Sequence, residues 1–193
     1  IDEEIEDAFV IGGGYKYCQL GEGNCFMRIP ESTNLKPLIS GWFSEFAAIS
    51  TKKSGEILYG PDHWAFAGST YDVTSHYRAV EVFEFFQKNN LSIKFLRELN
   101  RKQIDLLASE FDKYDFDPKI INRDTEMILE MCGAFLVLKS DYCDQFEHLL
   151  KEENIFTDYR GDSLRLGPAP YLNTNQLKMG IEVLYNVSKR IKS

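Results

Sequence analysis

Residues 8–17 read Ala8-Phe9-Val10-Ile11-Gly12-Gly13-Gly14-Tyr15-Lys16-Tyr17: an apolar run, three glycines, and a lysine held between two tyrosines. The run Ala8 to Ile11 has the length and composition of a buried strand, and the glycines after it signal a turn. A lysine at the end of such a strand is badly placed for solvation. Burial would penalise its ammonium form, lower its pKa and make the amine a nucleophile toward a carbonyl or an aldehyde cofactor. The plainer alternative is a lysine that snorkels to the surface from a glycine-rich turn. Familiar glycine motifs do not account for the stretch. A phosphate loop needs Gly-Lys-Ser or Gly-Lys-Thr, which occurs nowhere in the chain. A dinucleotide fingerprint begun at Gly12 and Gly14 would need a glycine where Tyr17 stands, and Gly21-Glu22-Gly23 fails likewise at Phe26.

The composition narrows the partners. The 193 residues include 22 basic and 30 acidic side chains, a net charge of −8 that is spread along the chain. With no basic stripe, nucleic acid and anionic membrane are poor partners. No apolar run approaches membrane-spanning length, and no signal-peptide pattern opens the chain. Cys18, Cys25, Cys132 and Cys143 are irregularly spaced and have no metal-ligand pairing with the three histidines. They fit reduced thiols, so the expected compartment is the cytoplasm. The chain opens on Ile1 with a strand close behind, which reads as a protein whose N-terminal part precedes it.

Two regions divide near Asn89-Asn90. The first alternates short strand-like pieces (8–11, 25–29 and the stretch Ile57-Leu58-Tyr59) with glycine and proline turns. A helix of about 73–88 follows, with Tyr77, Val80, Phe83 and Glu84 at helical spacing and Ser75 near its start. This region reads as the tail of an open α/β sheet. In the second, a helix of about 93–113 has Leu96, Leu99, Leu106, Leu107 and Phe111 on its apolar side. Ala134 to Leu138 reads as an antiparallel or central strand. Ser140-Asp141 can cap a helix through Lys151, and 155–159 and 163–166 read as short strands around Gly161-Asp162. A final helix from Asn173 or Thr174 carries Leu177, Ile181, Leu184 and Ile191 on one stripe. The second region is therefore a compact α+β unit.

Three further segments carry chemistry. Gly41-Trp42-Phe43 follows the segment Lys36-Pro37-Leu38-Ile39-Ser40; its indole reads first as a core group whose N–H finds a backbone acceptor. Gly68-Ser69-Thr70 precedes a helix, where hydroxyls and free backbone donors can hold a phosphate or simply form a capped turn. Arg165 sits between Leu164 and Leu166, so on a strand it points opposite to both. It can face a cleft and take a carboxylate with both arms of its fork, or pair at the surface with Asp158 or Asp162. Arg160, across the turn, is its rival for the cleft.

Taken in order, these pieces resemble kynureninase and, more broadly, the class V aminotransferase branch of pyridoxal-phosphate enzymes of fold type I. Gly14-Tyr15-Lys16-Tyr17 is similar to that family's Tyr-Lys-Tyr segment, Lys36-Pro37 with Gly41-Trp42-Phe43 to its Lys-Pro…Gly-Trp-Phe segment, and Ser69-Thr70 with Thr74-Ser75 to its Gly-Thr-x-Pro-x-Thr-Ser stretch. Leu164-Arg165-Leu166-Gly167-Pro168-Ala169-Pro170 is similar to its C-terminal arginine segment. The likeness covers essentially the whole chain and the C-terminal half of a family member.

The resemblance implies an α/β fold in which 1–90 ends the large, aspartate-aminotransferase-like cofactor domain and 91–193 forms the small α+β C-terminal domain. It implies that Lys16 carries pyridoxal phosphate as a Schiff base and serves as the base for the α-proton. Tyr15 would donate to the cofactor phosphate, and Trp42 and Thr70 would reach the phosphate of a neighbouring subunit in a homodimer with shared sites. Arg165 would take the α-carboxylate of an amino-acid substrate. The ring-stacking group, the carboxylate facing the pyridine nitrogen and the main phosphate loop would lie in the N-terminal half of the same protein. The expected reaction is amino transfer or hydrolytic cleavage on the β-carbon side. Departures border the substrate side: Cys18-Gln19-Leu20-Gly21-Glu22-Gly23 replaces the family's Asn and Gly-Gly-Pro-Gly, Ser69 replaces a glycine, and Tyr71-Asp72 replaces the residue and proline that follow. They leave the substrate open. A cysteine desulfurase is disfavoured because the His-Cys of that group is missing beside Arg165, and Cys132 abuts a strand. A silent relative serving as a binding or assembly subunit is the competing class.

Overall fold

A computed structural model describes residues 5–50 and 55–191. The reading of the chain's opening at Ile1 falls outside them. The chain divides into two compact units, residues 1–90 and 91–193. Helices and small antiparallel sheets make up both, which is mixed α/β in the coarse sense.

In the first unit, β1 (Val10–Gly13) pairs antiparallel with β2 (Cys25–Arg28), setting Val10 opposite Arg28 and Gly13 opposite Cys25. These are the only two strands of their sheet. The buried strand expected at 8–11 is therefore a ribbon strand that alternates: Val10 and Gly12 are half-buried, while Ile11 is 80% exposed. No open parallel sheet forms among the described residues. The segment Ile57-Leu58-Tyr59, expected as a strand, is irregular. Its polar groups find partners outside any ladder. Leu58 N donates to the Glu45 carboxylate at 2.9 Å, the Tyr59 hydroxyl to Pro37 O at 2.6 Å, and the next amide, Gly60 N, to Ser44 O at 2.7 Å. The helix α1 spans Thr74–Lys88. Its start is held by Asp72, whose Oδ1 accepts from Thr74 N at 2.9 Å and from the Thr74 hydroxyl at 2.6 Å. Ser75, the residue marked from sequence, does not cap it. Tyr77, Val80 and Phe83, the expected apolar face, are exposed.

The second unit holds the main core. The helix α2 (Ile93–Phe111) is capped by Ser92, whose side chain accepts from Phe95 N. The strand β3 (Leu136–Lys139), the helix α3 (Cys143–Glu152), the strands β4 (Asp158–Arg160) and β5 (Ser163–Leu166), and the helix α4 (Thr174–Ser188) follow. The sheet is antiparallel in the order β3-β5-β4. β3 is thus antiparallel as expected but lies beside the central strand, with one isolated bridge, Asn122 to Lys139, on its far side. Alternation turns Leu136, Leu138 and Leu164 inward, where they pack with Ile104, Phe146, Ile181 and Leu184. The stripe expected on the last helix, Leu177, Ile181, Leu184 and Ile191, is buried throughout. Each of these aliphatic side chains contributes roughly 1.5–3 kcal/mol by leaving water. Asn173 and Gln176 close α4 with a reciprocal capping box.

Candidate cofactor and carboxylate sites

Lys16 lies in the loop that joins β1 to β2. Gly14 N donates to Asn24 O at 2.8 Å, and Leu20 N donates back to Gly14 O at 2.9 Å, so the loop closes on Gly14. The backbone at Gly14 lies close to the Leu20 side chain: a Cβ there would stand 2.6 Å from Leu20 Cδ1, so a larger residue would require Leu20 to shift. The closed loop presents Tyr15, Lys16 and Tyr17 to solvent. All three are exposed, which corrects the expectation of a buried lysine. Lys16 Nζ lies 5.7 Å from the centre of the Tyr15 ring and has no hydrogen-bond or ion-pair partner among the described residues.

Trp42 and Thr70 are brought together. Trp42 Nε1 donates to Thr70 Oγ1 at 2.9 Å, across 28 positions of sequence. The two segments interlock behind this bond. Phe43 N donates to Gly68 O at 3.0 Å, and a Cβ on Gly41 would fall 2.2 Å from that same carbonyl oxygen. The Trp42 ring is braced by Phe43 and Phe46, at 4.4 and 5.4 Å between centroids. The indole N–H therefore finds a hydroxyl, where a backbone acceptor was the simpler expectation. Because Thr70 Oγ1 accepts from the indole, its own proton remains to be donated. Neither residue is hydrogen-bonded to Lys16.

No protein-family model matches the chain, and none of the curated proteins matches it.

Arg165 lies in the middle of β5, opposite Val137 on β3 and Asp158 on β4. It turns away from the core, as alternation requires. Of its two expected surface partners it takes Asp158: Nε donates to Oδ1 at 2.7 Å and Nη2 to Oδ2. Asp162 is held elsewhere, by Lys139 Nζ at 2.8 Å and by the Ser163 hydroxyl, and those two bonds keep its carboxyl below the ordinary range. The Phe135 ring lies 5.3 Å from the guanidinium carbon. Arg160 is exposed on β4. Sequence reasoning gave Phe135 and Val137 no role at this site. The signal that could have found Val137 is period-two pairing of β3 with β5, which needs the register.

Cys143 is buried, donates to Ser140 O at 3.2 Å, and has its pKa pushed up by burial, which keeps it protonated. Among the described residues, no three His, Cys, Asp or Glu side chains gather to hold a metal ion. No helix of the described residues is long and apolar enough to cross a membrane. Taken singly, these groups are of the kinds that can bind an aldehyde or a phosphate: a primary amine without a partner among the described residues, a phenol beside it, and, elsewhere, a hydroxyl with its proton to give.

Proposed function

We propose that the chain is the C-terminal half of a pyridoxal-phosphate-dependent enzyme of the kynureninase and class V aminotransferase kind, acting on an amino-acid substrate in a homodimer. The observation that carries this reading is the Trp42–Thr70 hydrogen bond. The resemblance assigns these two residues one task, and they meet although they are distant in sequence.

Bound pyridoxal phosphate supplies an electron sink for a bond breaking at the substrate α-carbon. The chain's own residues do the rest. Lys16 Nζ would hold the cofactor through its aldehyde, and the free Lys16 amine, once the substrate amine has replaced it there, would be the base for the α-proton. Tyr15 Oη would donate to the cofactor phosphate, and Thr70 Oγ1 to the phosphate of the neighbouring subunit; Trp42, expected to reach that phosphate too, gives its Nε1 proton to Thr70 and so would orient it. Arg165 holds the α-carboxylate while Asp158 keeps the guanidinium plane fixed. Amino transfer and hydrolytic cleavage on the β-carbon side share these steps.

Thr70→Val keeps the shape and removes the donor. A hydrogen bond to a charged group contributes about 1.5–3 kcal/mol. Retention of pyridoxal phosphate by the complete enzyme, measured by equilibrium dialysis, is expected to fall about tenfold or more, with the helix content unchanged. Undiminished retention would contradict the reading.

A further inference from the structure

The outward face of the second unit's sheet holds more than an arginine. Beside Val137 and Arg165 lies a cavity of about 430 Å³ lined by Met127, Ile128, Met131, Cys132, Phe135 and Val137. Those side chains are apolar or a thiol, and no charged residue lines the space. Its wall is fastened from behind by α2. Arg97 donates to the carbonyl oxygens of Cys132 at 2.8 Å, Gly133 at 3.3 Å and Glu130 at 3.4 Å. Asn100 donates to Ala134 O at 3.3 Å and Arg101 to Glu130 O at 3.2 Å. These bonds tie the loop that carries Met131, Cys132 and Gly133 to α2.

Phe135 joins the cavity to the cation, lining the one and lying against the other. Asp158 occupies the Nε and Nη2 edge of Arg165. Nη1 has no hydrogen-bond partner among the described residues. A second carboxylate can approach that side with the cation between it and Asp158.

We propose that this face binds an amino acid or oxo acid with an apolar side chain, the carboxylate on Arg165 Nη1 and the side chain in the cavity between Met127 and Val137. The inference rests on the assignment of Arg165 to the substrate carboxylate and adds the class of substrate. A guanidinium edge matches a carboxylate in shape and charge. The cavity lies within the size range of small-molecule sites, about 300–1,000 Å³. Methionine and phenylalanine walls adapt to hydrocarbon, whereas a polar side chain there would lose its hydrogen bonds to water without replacement.

The test is a titration of 3-phenylpropanoate into the chain, followed by the NMR shifts of the Gly133, Phe135 and Val137 amides and of Arg165 Nε. Saturable shifts are expected, with a dissociation constant on the order of 1 mM or tighter. Acetate, lacking the side chain, and 3-phenylpropan-1-ol, lacking the carboxylate, should each bind about tenfold more weakly or worse. Arg165→Gln should bring the acid down to the level of the alcohol. Met131→Lys alters a rim residue that is 80% exposed, so the fold tolerates it, and should weaken the acid about tenfold. Equal binding of the alcohol would overturn the role of Arg165, and equal binding of acetate would overturn the role of the cavity. Unsaturable shifts, or shifts elsewhere, would overturn the whole. The titration involves neither cofactor nor Lys16, so its failure is distinguishable from failure of the cofactor reading.

Discussion

Asp72 shows how a single side chain ties an element to pH. Hydrogen bonds from the Thr74 hydroxyl and the Thr74 amide hold its carboxyl below the ordinary value of 3.8. A carboxyl depressed on folding stabilises above its unfolded pKa, and that contribution is lost as pH falls through the folded value. An NMR titration of the Asp72 side-chain carbon should therefore have its midpoint below 3.8, with the first amides of α1 exchanging faster once the group is protonated. A midpoint at or above that value would show the cap to be absent in solution. The same scale explains what could be read of the site beforehand. Alternation around Leu164 and Leu166 was enough to turn Arg165 outward. It could not choose between Asp158 and Asp162, because the choice depends on Lys139 engaging Asp162 from another strand. For Lys16, the apolar run before it suggested burial, but burial needs a covering layer that no local pattern reports.

Among the elements, α2 and α4 were legible because each has its own apolar stripe and its own cap, Ser92 and Asn173, whereas α3, expected to be capped from Ser140-Asp141, has no side-chain cap. The last helix is the clearest case, with Leu177, Ile181 and Leu184 inward and Asn173 at its start. Asn173→Ala removes an acceptor from the capping box and should cost about 0.5–2 kcal/mol in urea unfolding, whereas Ser75→Ala, at a position without a capping bond, should stay within about 0.5 kcal/mol. Equal effects would mean that the two caps have been wrongly told apart. The stretch 57–59 misled because its β-prone residues hydrogen-bond to Glu45 and Pro37 through tertiary contacts. Trp42 and Thr70 became a pair in the reading only through the likeness to a family, since nothing in either segment alone names the other.

At the scale of the whole molecule, apolar burial is uneven. The core of the second unit is closed, while Ile11, Phe26, Leu38, Ile39, Trp64 and Tyr77 of the first remain exposed. Where such side chains adjoin one another, they mark interaction surfaces or aggregation liabilities. Sedimentation velocity on the chain by itself should show concentration-dependent association, and a monomer that persists at high concentration would contradict an interface on this unit. The central claim is that Lys16 is the residue that holds pyridoxal phosphate, and one measurement reaches it directly. The complete protein is incubated with pyridoxal phosphate, reduced with borohydride, digested and mapped. The account predicts a single pyridoxyl label on the peptide carrying Tyr15-Lys16-Tyr17, located at Lys16. A label on any other lysine, or no label at saturating cofactor, would contradict it.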